Sequence, residues 1–476
     1  GVGLPCLWLL APRPRPAPLL FAASGPPRAR GSRPAQLRSV ARAAAGAGDS
    51  KRSGAGLWPE LFEWVNGTGM DTSDFAIEVA PVDLAPGELG LIASSRLEPG
   101  DILAWAPTSL LLSKPKAVEL WGELAEGLQD RVALQLLLVH ERFVRGERSP
   151  WSTYVSTLPR FDDDVSGPTF LWTADEWEWL QGSDGYAATA QMHRTLIDEF
   201  NSLEPLFAEH PATFPPEVFT WENYEWAAAC VASRAYGDDA DGTNLAIAPL
   251  VDFLNHKAGA LQLTRFGNGI VAYAHKHYQP GEQVWVSYGG KSNAQLLTQY
   301  GFVDEDNQEE AVYLRVGPHL LLQGPHEERK RVLLEELLGR EPEGAILKLP
   351  RRPRDWEAEL VPAMRALALS TEDFTPVSSR ELVPTQTPRL EAAAWRVLVE
   401  ALERRAAEYP SPLEEDRRLL AAGGLSERQS LGLKLRISEQ ELIAEVTVQA
   451  QERMEAALAD LAEISDVPAA ENAVPV

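Results

Sequence analysis

Cysteine is almost missing from this chain: in 476 residues it occurs twice, at Cys6 and Cys230. Cys6 lies in an unusual leader, so the body of the protein has one thiol. That excludes an internal disulfide and a thiolate zinc cluster. Long apolar runs are missing too, and nothing approaches the ~18 consecutive apolar residues of a membrane span. Positive charge is scarce: 44 Lys and Arg face 69 Asp and Glu, a formal net charge of −25. That sign argues against a general nucleic-acid-binding surface. It is compatible with a protein partner that presents a basic or lysine-bearing surface. Acidic residues are themselves absent from one stretch. None precedes Asp49, while residues 1–48 hold seven arginines (Arg13, Arg15, Arg28, Arg30, Arg33, Arg38, Arg42) among many Ala and Pro. Removing those seven leaves 37 basic against 69 acidic residues, a net of −32. An acid-free, Arg-rich and Ala-rich leader over 1–48 reads as an organelle transit peptide. Its low Ser content leaves plastid and mitochondrion both open. The apolar run Leu4 to Leu10 precedes the arginines, the reverse of a secretory signal's order.

The rest of the chain is ordinary for a globular protein, with 45% hydrophobic and 24% charged residues. Residues 49–72 read as a linker followed by a short helix, Leu57 to Val65. From Ser73 to Ser113 the pattern is β-rich, with Glu98-Pro99-Gly100-Asp101 as a turn. Residues 114–235 change to helical periodicity; Val132, Leu136, Leu137, Val139 and Phe143 form one apolar stripe, and Trp221 to Tyr236 a further helix. Strands return from Ala246 to Tyr288. After strand character at Val312 to Val316, helical pattern runs to the end, clearest over Glu439 to Ile464, where Ile443, Val446, Ala450, Met454, Ala457, Leu458 and Leu461 share a face. Residues 465–476 read as a disordered tail. The order is β, helical insertion, β, helical tail, an α+β arrangement distinct from a doubly wound sheet.

Several motifs fail on spacing. Gly289-Gly290-Lys291-Ser292 resembles the end of a phosphate loop, but the Gly required five residues before Gly290 is Trp285. Asp238 to Gly242 lacks the first ligand of a calcium loop, because that position is Gly237. His275 and His277 could share a strand face, but no carboxylate or third His is near in sequence, so no metal is expected there. Asp162 to Asp164 reads as a surface charge run.

Two segments carry chemistry. In Glu282 to Tyr288, alternation puts Val284, Val286 and Tyr288 on one strand face. Two valines mark that face as buried, and it ends in a phenol that needs a polar partner. In Asn244 to His256, an apolar run ends in Asp252 and then Asn255-His256. Taken singly, these read as a core tyrosine and a turn cluster.

Together, and with their flanks, they resemble the SET-domain methyltransferases, in the branch typified by the Rubisco large-subunit lysine methyltransferase. Gly90-Leu91-Ile92-Ala93 with Pro99-Gly100-Asp101 is similar to that family's opening strand pair, and Trp151 to Pro159 and Phe170 to Leu180 to its helical insertion. Ser233-Arg234-Ala235-Tyr236, Asp252 to His256, and the Tyr288 and Tyr300 segments are similar to its core motifs. Trp395, Tyr409 to Asp416 and Leu419-Leu420 are similar to its C-terminal domain. The resemblance runs from about Phe75 to Leu461. It implies a SET domain at 73–304, with small β-sheets in a pseudoknot and a helical insertion at about 114–235. An all-α substrate-binding domain follows at 305–464.

The resemblance implies a protein-lysine N-methyltransferase using S-adenosylmethionine, active as a monomer, with neither nucleic acid nor membrane as partner. Tyr288 would be catalytic. Leu89, Gly90, Leu91, Arg234, Asn255 and His256 would hold the cofactor, and Tyr236 and Tyr300 would line the substrate channel. The chemistry suits such residues. Free lysine has a pKa of about 10.4, and a narrow apolar channel favours the neutral amine that methyl transfer requires. The implied address is the chloroplast stroma, and the implied substrates are Rubisco large subunit or fructose-bisphosphate aldolase. Three positions depart from the family's pattern: Glu88 where a Gly is common, Lys257 where Ser is usual after the Asn-His pair, and Tyr236 where Phe is commoner. A related branch methylates histidine in actin, which a plastid address would disfavour. A scaffold in a plastid complex with little activity is the remaining alternative.

Overall fold

The computed structural model describes residues 58–68, 75–82, 89–161, 167–237, 244–266, 268–316, 327–342, 344–356, 358–370 and 387–465. The leader, Glu88, the Asp162–Asp164 run, the Asp238–Gly242 loop and the tail beyond Ser465 lie outside them. The chain divides into two units, one formed by residues 1–158 and 235–286, the other by 159–234 and 287–476. The expected insertion is therefore split: its first part belongs to the first unit, and 159–234 belongs with the C-terminal region.

The first unit is built from small sheets. Strands β1 (Ile77–Pro81) and β2 (Leu89–Ala93) pair antiparallel, with Ile77 opposite Ala93. Strands β3 (Ile102–Pro107), β8 (Thr264–Phe266) and β9 (Gly269–Tyr273) form an antiparallel sheet in the order β3-β9-β8. β4 (Leu112–Ser113), β5 (Ala235–Tyr236) and β6 (Ala246–Ile247) form another, in the order β4-β6-β5. β7 (Asn255–His256) lies parallel to β10 (Trp285–Val286). The turn before β3 forms as its sequence demands: Gly100 has φ +94, and the Asp101 carboxylate accepts from the Glu98 N–H at 2.7 Å. The helix Asp130–Val139 is buried on every side from Val132 to Val139, so it is a core helix rather than a one-sided stripe. A π-helix over His140–Arg145 follows and shifts the angular register. That shift is why Phe143, expected on the stripe, is 40% exposed.

The second unit is mainly helical. The Trp221–Arg234 helix buries Trp226, Ala229 and Cys230. Helix Glu427–Ser465 is far longer than its sequence pattern indicated and packs along helix Pro388–Ala406. It buries Ile443, Val446, Ala450 and Ala457, but leaves Leu458 exposed. The C-terminal region also holds an antiparallel pair, β11 (Ala311–Arg315) and β12 (Ile346–Pro350). β12 alternates strictly and β11 does so from Val312 onward: Val312, Leu314, Leu347 and Leu349 are buried and join the helical core around Trp356, Trp395 and Leu442. No helix among the described residues is long and apolar enough to cross a membrane.

A charged cluster inside the second unit ties its segments together. Glu439, fully buried on the long helix, accepts from the Tyr409 hydroxyl at 2.6 Å and from the Asp184 N–H at 3.1 Å. Arg405 donates to Asp184, Glu439 and Glu408 and to the Gly182 carbonyl. Asp184 also binds the middle of strand β11, accepting from the Tyr313 N–H at 2.9 Å. Burial pushes the Glu439 carboxyl well above the usual range, and the Asp184 charge adds to it.

Candidate functional site

The site residues expected from sequence fall into two groups, one in each unit. In the first unit they gather on β2 and β7. Gly90 and Leu91 face opposite sides of β2 and both are buried, so this strand is covered on two faces. The Asn255 side chain, projecting from β7, donates from Nδ2 to the Leu89 carbonyl at 3.0 Å. Pairing with β10 fixes β7, with Asn255 opposite Trp285 and His256 opposite Val286, and the Lys257 N–H continues the ladder onto the Val286 carbonyl at 2.9 Å. The β10 segment is anchored on β2 in turn: Gln283 bridges Ile92, and the Val284 N–H donates to the Leu91 carbonyl.

Gly90 is required at this junction. A Cβ there would lie 2.7 Å from Nε2 of Gln283, 2.9 Å from Cγ1 of Val82 and 3.0 Å from Nδ2 of Asn255. Sequence reasoning did not single out Gln283. Its Nε2 is buried without a hydrogen-bond partner, beside the amide of Asn255. A buried donor without an acceptor is costly, by about 1–3 kcal/mol, so such a group marks a place where a ligand or water completes the bonding. The only sequence signal was a polar residue between Glu282 and the buried Val284. Tyr236 stands on β5 with the Arg265 guanidinium over its ring, 5.9 Å from the centroid. Asp252 accepts from the buried Tyr154 hydroxyl at 2.7 Å, a structural contact that explains the acid at the end of the apolar run.

In the second unit Tyr288 and Tyr300 are stacked, with ring centroids 4.6 Å apart and planes 29° from parallel. Alternation held for the strand that leads to Tyr288: Val284 and Val286 are buried, although only Trp285–Val286 is regular strand. The helix Asn293–Tyr300 delivers the second ring. Ser292 caps it, its hydroxyl accepting from the Gln295 N–H while the Gln295 side chain reaches back, a capping box. Gly301 ends it at φ +85, a left-handed cap where a Cβ would sit 2.5 Å from the Gly167 carbonyl oxygen. Asn293, fully buried, bonds Asp304 in both directions and donates to Ser438, so the helix start is clamped. Glu310 accepts from the Asn293 N–H and the Ser438 hydroxyl, and burial raises its carboxyl above the usual range. Arg234 ends the Trp221–Arg234 helix, two residues before Tyr236. Of the two histidines weighed as metal ligands, His275 bonds the Tyr278 hydroxyl at 3.0 Å and His277 pairs with Glu98 at 2.6 Å.

Comparison with known proteins places these features in a known architecture. Residues 324–443 match the family model described as Rubisco LSMT substrate-binding. Actin-histidine N-methyltransferase of Homo sapiens is 24% identical over 428 residues, spanning 83% of this chain and 68% of that protein. The Mus musculus protein of the same name matches with the same identity and shares. A solved structure of Rubisco LSMT bound to AdoMet superposes with a TM-score of 0.68 at 23% identity, covering 84% of this chain and 93% of that one. The SET domain of LSMT bound to lysine and AdoHcy gives a TM-score of 0.69 at 22% identity, covering 85% and 93%. The fold is therefore α+β: a SET domain with a helical insertion and a helical C-terminal domain.

Proposed function

The chain has the fold of Rubisco LSMT and, over residues 324–443, its substrate-binding domain; from that premise we propose that it is an S-adenosylmethionine-dependent methyltransferase acting on a lysine of a plastid protein. The observation that carries the reading is the Tyr288–Tyr300 stack, a pair of phenols held by a capped helix and a buried strand. In this reading Tyr288 orients the acceptor amine and Tyr300 and Tyr236 line its channel. The cofactor is held by the backbone at Leu89, Gly90 and Leu91 and by Arg234, Asn255 and His256. The unpaired Nε2 of Gln283 beside Asn255 fits a ligand rich in acceptors, as S-adenosylmethionine is with its carboxylate, ribose and adenine. When bound, that cofactor supplies an electrophilic methyl group on a sulfonium. The protein's part is positioning, which supplies much of the rate in such displacements. A tyrosine hydroxyl and backbone carbonyls accept weak C–H···O contacts from the methyl group and align the amine behind it.

A lysine acceptor is supported by the LSMT structures with lysine and with monomethyllysine, whose fold this chain shares. A histidine acceptor is the second reading, supported by the similarity to actin-histidine N-methyltransferase. The Arg-rich leader supports an organelle address, the resemblance to Rubisco LSMT favours the plastid, and Rubisco large subunit and fructose-bisphosphate aldolase are the substrates to try first. The test is transfer of labelled methyl from S-adenosylmethionine to purified Rubisco, aldolase and a stromal extract, with the modified residue mapped by mass spectrometry. Label on lysine supports the first reading, and label on histidine the second. No label in any fraction, with no S-adenosylmethionine binding by calorimetry, returns the chain to a scaffold role.

One substitution probes the cofactor platform alone. Gly90→Ala places a methyl group against Asn255 and Gln283. The expected result is a rise of about fivefold in the Kd for S-adenosylmethionine, equivalent to losing one hydrogen bond of roughly 1 kcal/mol, with the circular dichroism spectrum unchanged. An unaltered Kd would remove β2 from the proposed site.

A further inference from the structure

Lys291 is 6% exposed, an unusual position for a lysine. Its backbone is fixed on both sides: the N–H donates to the Gly289 carbonyl, and the carbonyl accepts from Nδ2 of Asn307, each at 2.9 Å. From there the side chain reaches the ring of Tyr300, with Nζ 5.7 Å from the centroid. Tyr300 stacks in turn on Tyr288. Ammonium, ring and ring thus form one run, which puts the Lys291 charge within about 10 Å of the Tyr288 ring. Among the described residues, the titratable groups beside this segment include Glu309, next to Gly290 and paired with Arg352 at 2.6 Å, Glu310 against Asn293 with Arg351 acting on it, and Asp304. Burial holds Glu310 toward its neutral form, and Glu309 is matched by its arginine.

We propose that Lys291 is a positioning residue for methyl transfer, acting in two ways through the tyrosine stack; this rests on the methyltransferase reading above. Its ammonium holds the Tyr300 ring by a cation–π contact and so fixes Tyr288. The same charge disfavours a second cation in the channel, which keeps the incoming acceptor amine neutral. Protonated acceptor releases its proton to solvent before transfer. The neutral nitrogen's lone pair then forms the N–C bond while the C–S bond breaks, its electron pair remaining on sulfur. The positive charge passes from sulfonium to methylammonium. For an acceptor held against the Tyr288 ring, about 10 Å away, and an effective dielectric constant of roughly 20, the repulsion displaces its titration by about one pH unit.

Lys291→Met and Lys291→Arg test this with two readouts. In the free protein, carbon-13 tyrosine ring resonances are assigned with Tyr288→Phe and Tyr300→Phe. Lys291→Met should displace both, and Lys291→Arg should leave them near their wild-type positions. The pH dependence of kcat, which reports ionisations in the bound complex, is then followed on a protein that the wild type labels. Lys291→Met should move the acid limb upward by about one pH unit, lowering kcat about tenfold at pH 7 and recovering at pH 9, while Lys291→Arg keeps the wild-type limb. Unmoved resonances overturn the contact. A wild type that labels protein, with an unshifted limb in Lys291→Met, overturns the electrostatic role alone. A wild type that labels nothing overturns the methyltransferase reading and this role together.

Discussion

Arg405→Met should destabilise the protein by about 3–5 kcal/mol, the usual cost of removing one member of a buried ionic network. Arg405 is 6% exposed and faces Glu439, Asp184 and Glu408, so its loss leaves the fully buried Glu439 and the partly buried Asp184 without their cation. Methionine keeps most of the volume, which separates the charge effect from a cavity. The measurement is urea unfolding at pH 7. Adding Glu439→Gln to Arg405→Met should recover more than half of the loss, because the amide can still accept from the Tyr409 hydroxyl and the Asp184 N–H. A double mutant no better than the single one would show that packing, not charge, sets the cost. The pH dependence follows with a definite sign. The folded-state Glu439 carboxyl is raised well above its unfolded value of about 4.3 by burial and then by the Asp184 charge. Its contribution to stability is therefore complete below the unfolded value and is lost as pH rises through the folded one. Thermal stability should fall as pH rises above about 4.3, the unfolded value, and Glu439→Gln alone should flatten that slope.

That network shows where sequence reasoning stops. Asp184 and Glu439 are 255 residues apart, and nothing local marks either as buried. Local chemistry was readable wherever a short-range rule decides the outcome. The Glu98 to Asp101 turn and the burial of Val284 and Val286 follow from residues within one turn or strand. The two-residue strands β4, β5, β6, β7 and β10 are too short to show a period, so Asn255-His256 read as the end of an apolar run rather than as a parallel pairing. β12 was hidden among helical patterns, although Leu347 and Leu349 alternate as a half-buried strand should. Phe143 was misplaced because a π-turn changes the angle per residue, which no 3.6-residue template follows. The assignment of 159–234 to the same unit as the C-terminal region is a tertiary fact. The candidate site residues were named through family resemblance alone, and Gln283 and Lys291 were not singled out because their surroundings are set by neighbours brought in by folding.

Tyr288→Phe carries the largest expected effect on activity. Phenylalanine preserves the ring and its stack on Tyr300 and removes one oxygen. If that oxygen only satisfies a bond within the fold, the substitution costs about 1 kcal/mol of stability and leaves turnover nearly unchanged. If it orients the acceptor, the loss appears in the transition state. Removing one preorganised polar contact of that kind lowers kcat by about 10² to 10³. The expected outcome is the second: kcat on a labelled protein substrate down at least a hundredfold, with the Kd for S-adenosylmethionine within about twofold of wild type, since the proposed cofactor contacts lie on β2 and β7. Tyr300→Phe serves as the control, because it alters the partner ring by the same single atom. A Tyr288→Phe enzyme that keeps more than a third of its kcat would remove this hydroxyl from the chemistry, and equal losses in both variants would assign the effect to the stack rather than to Tyr288.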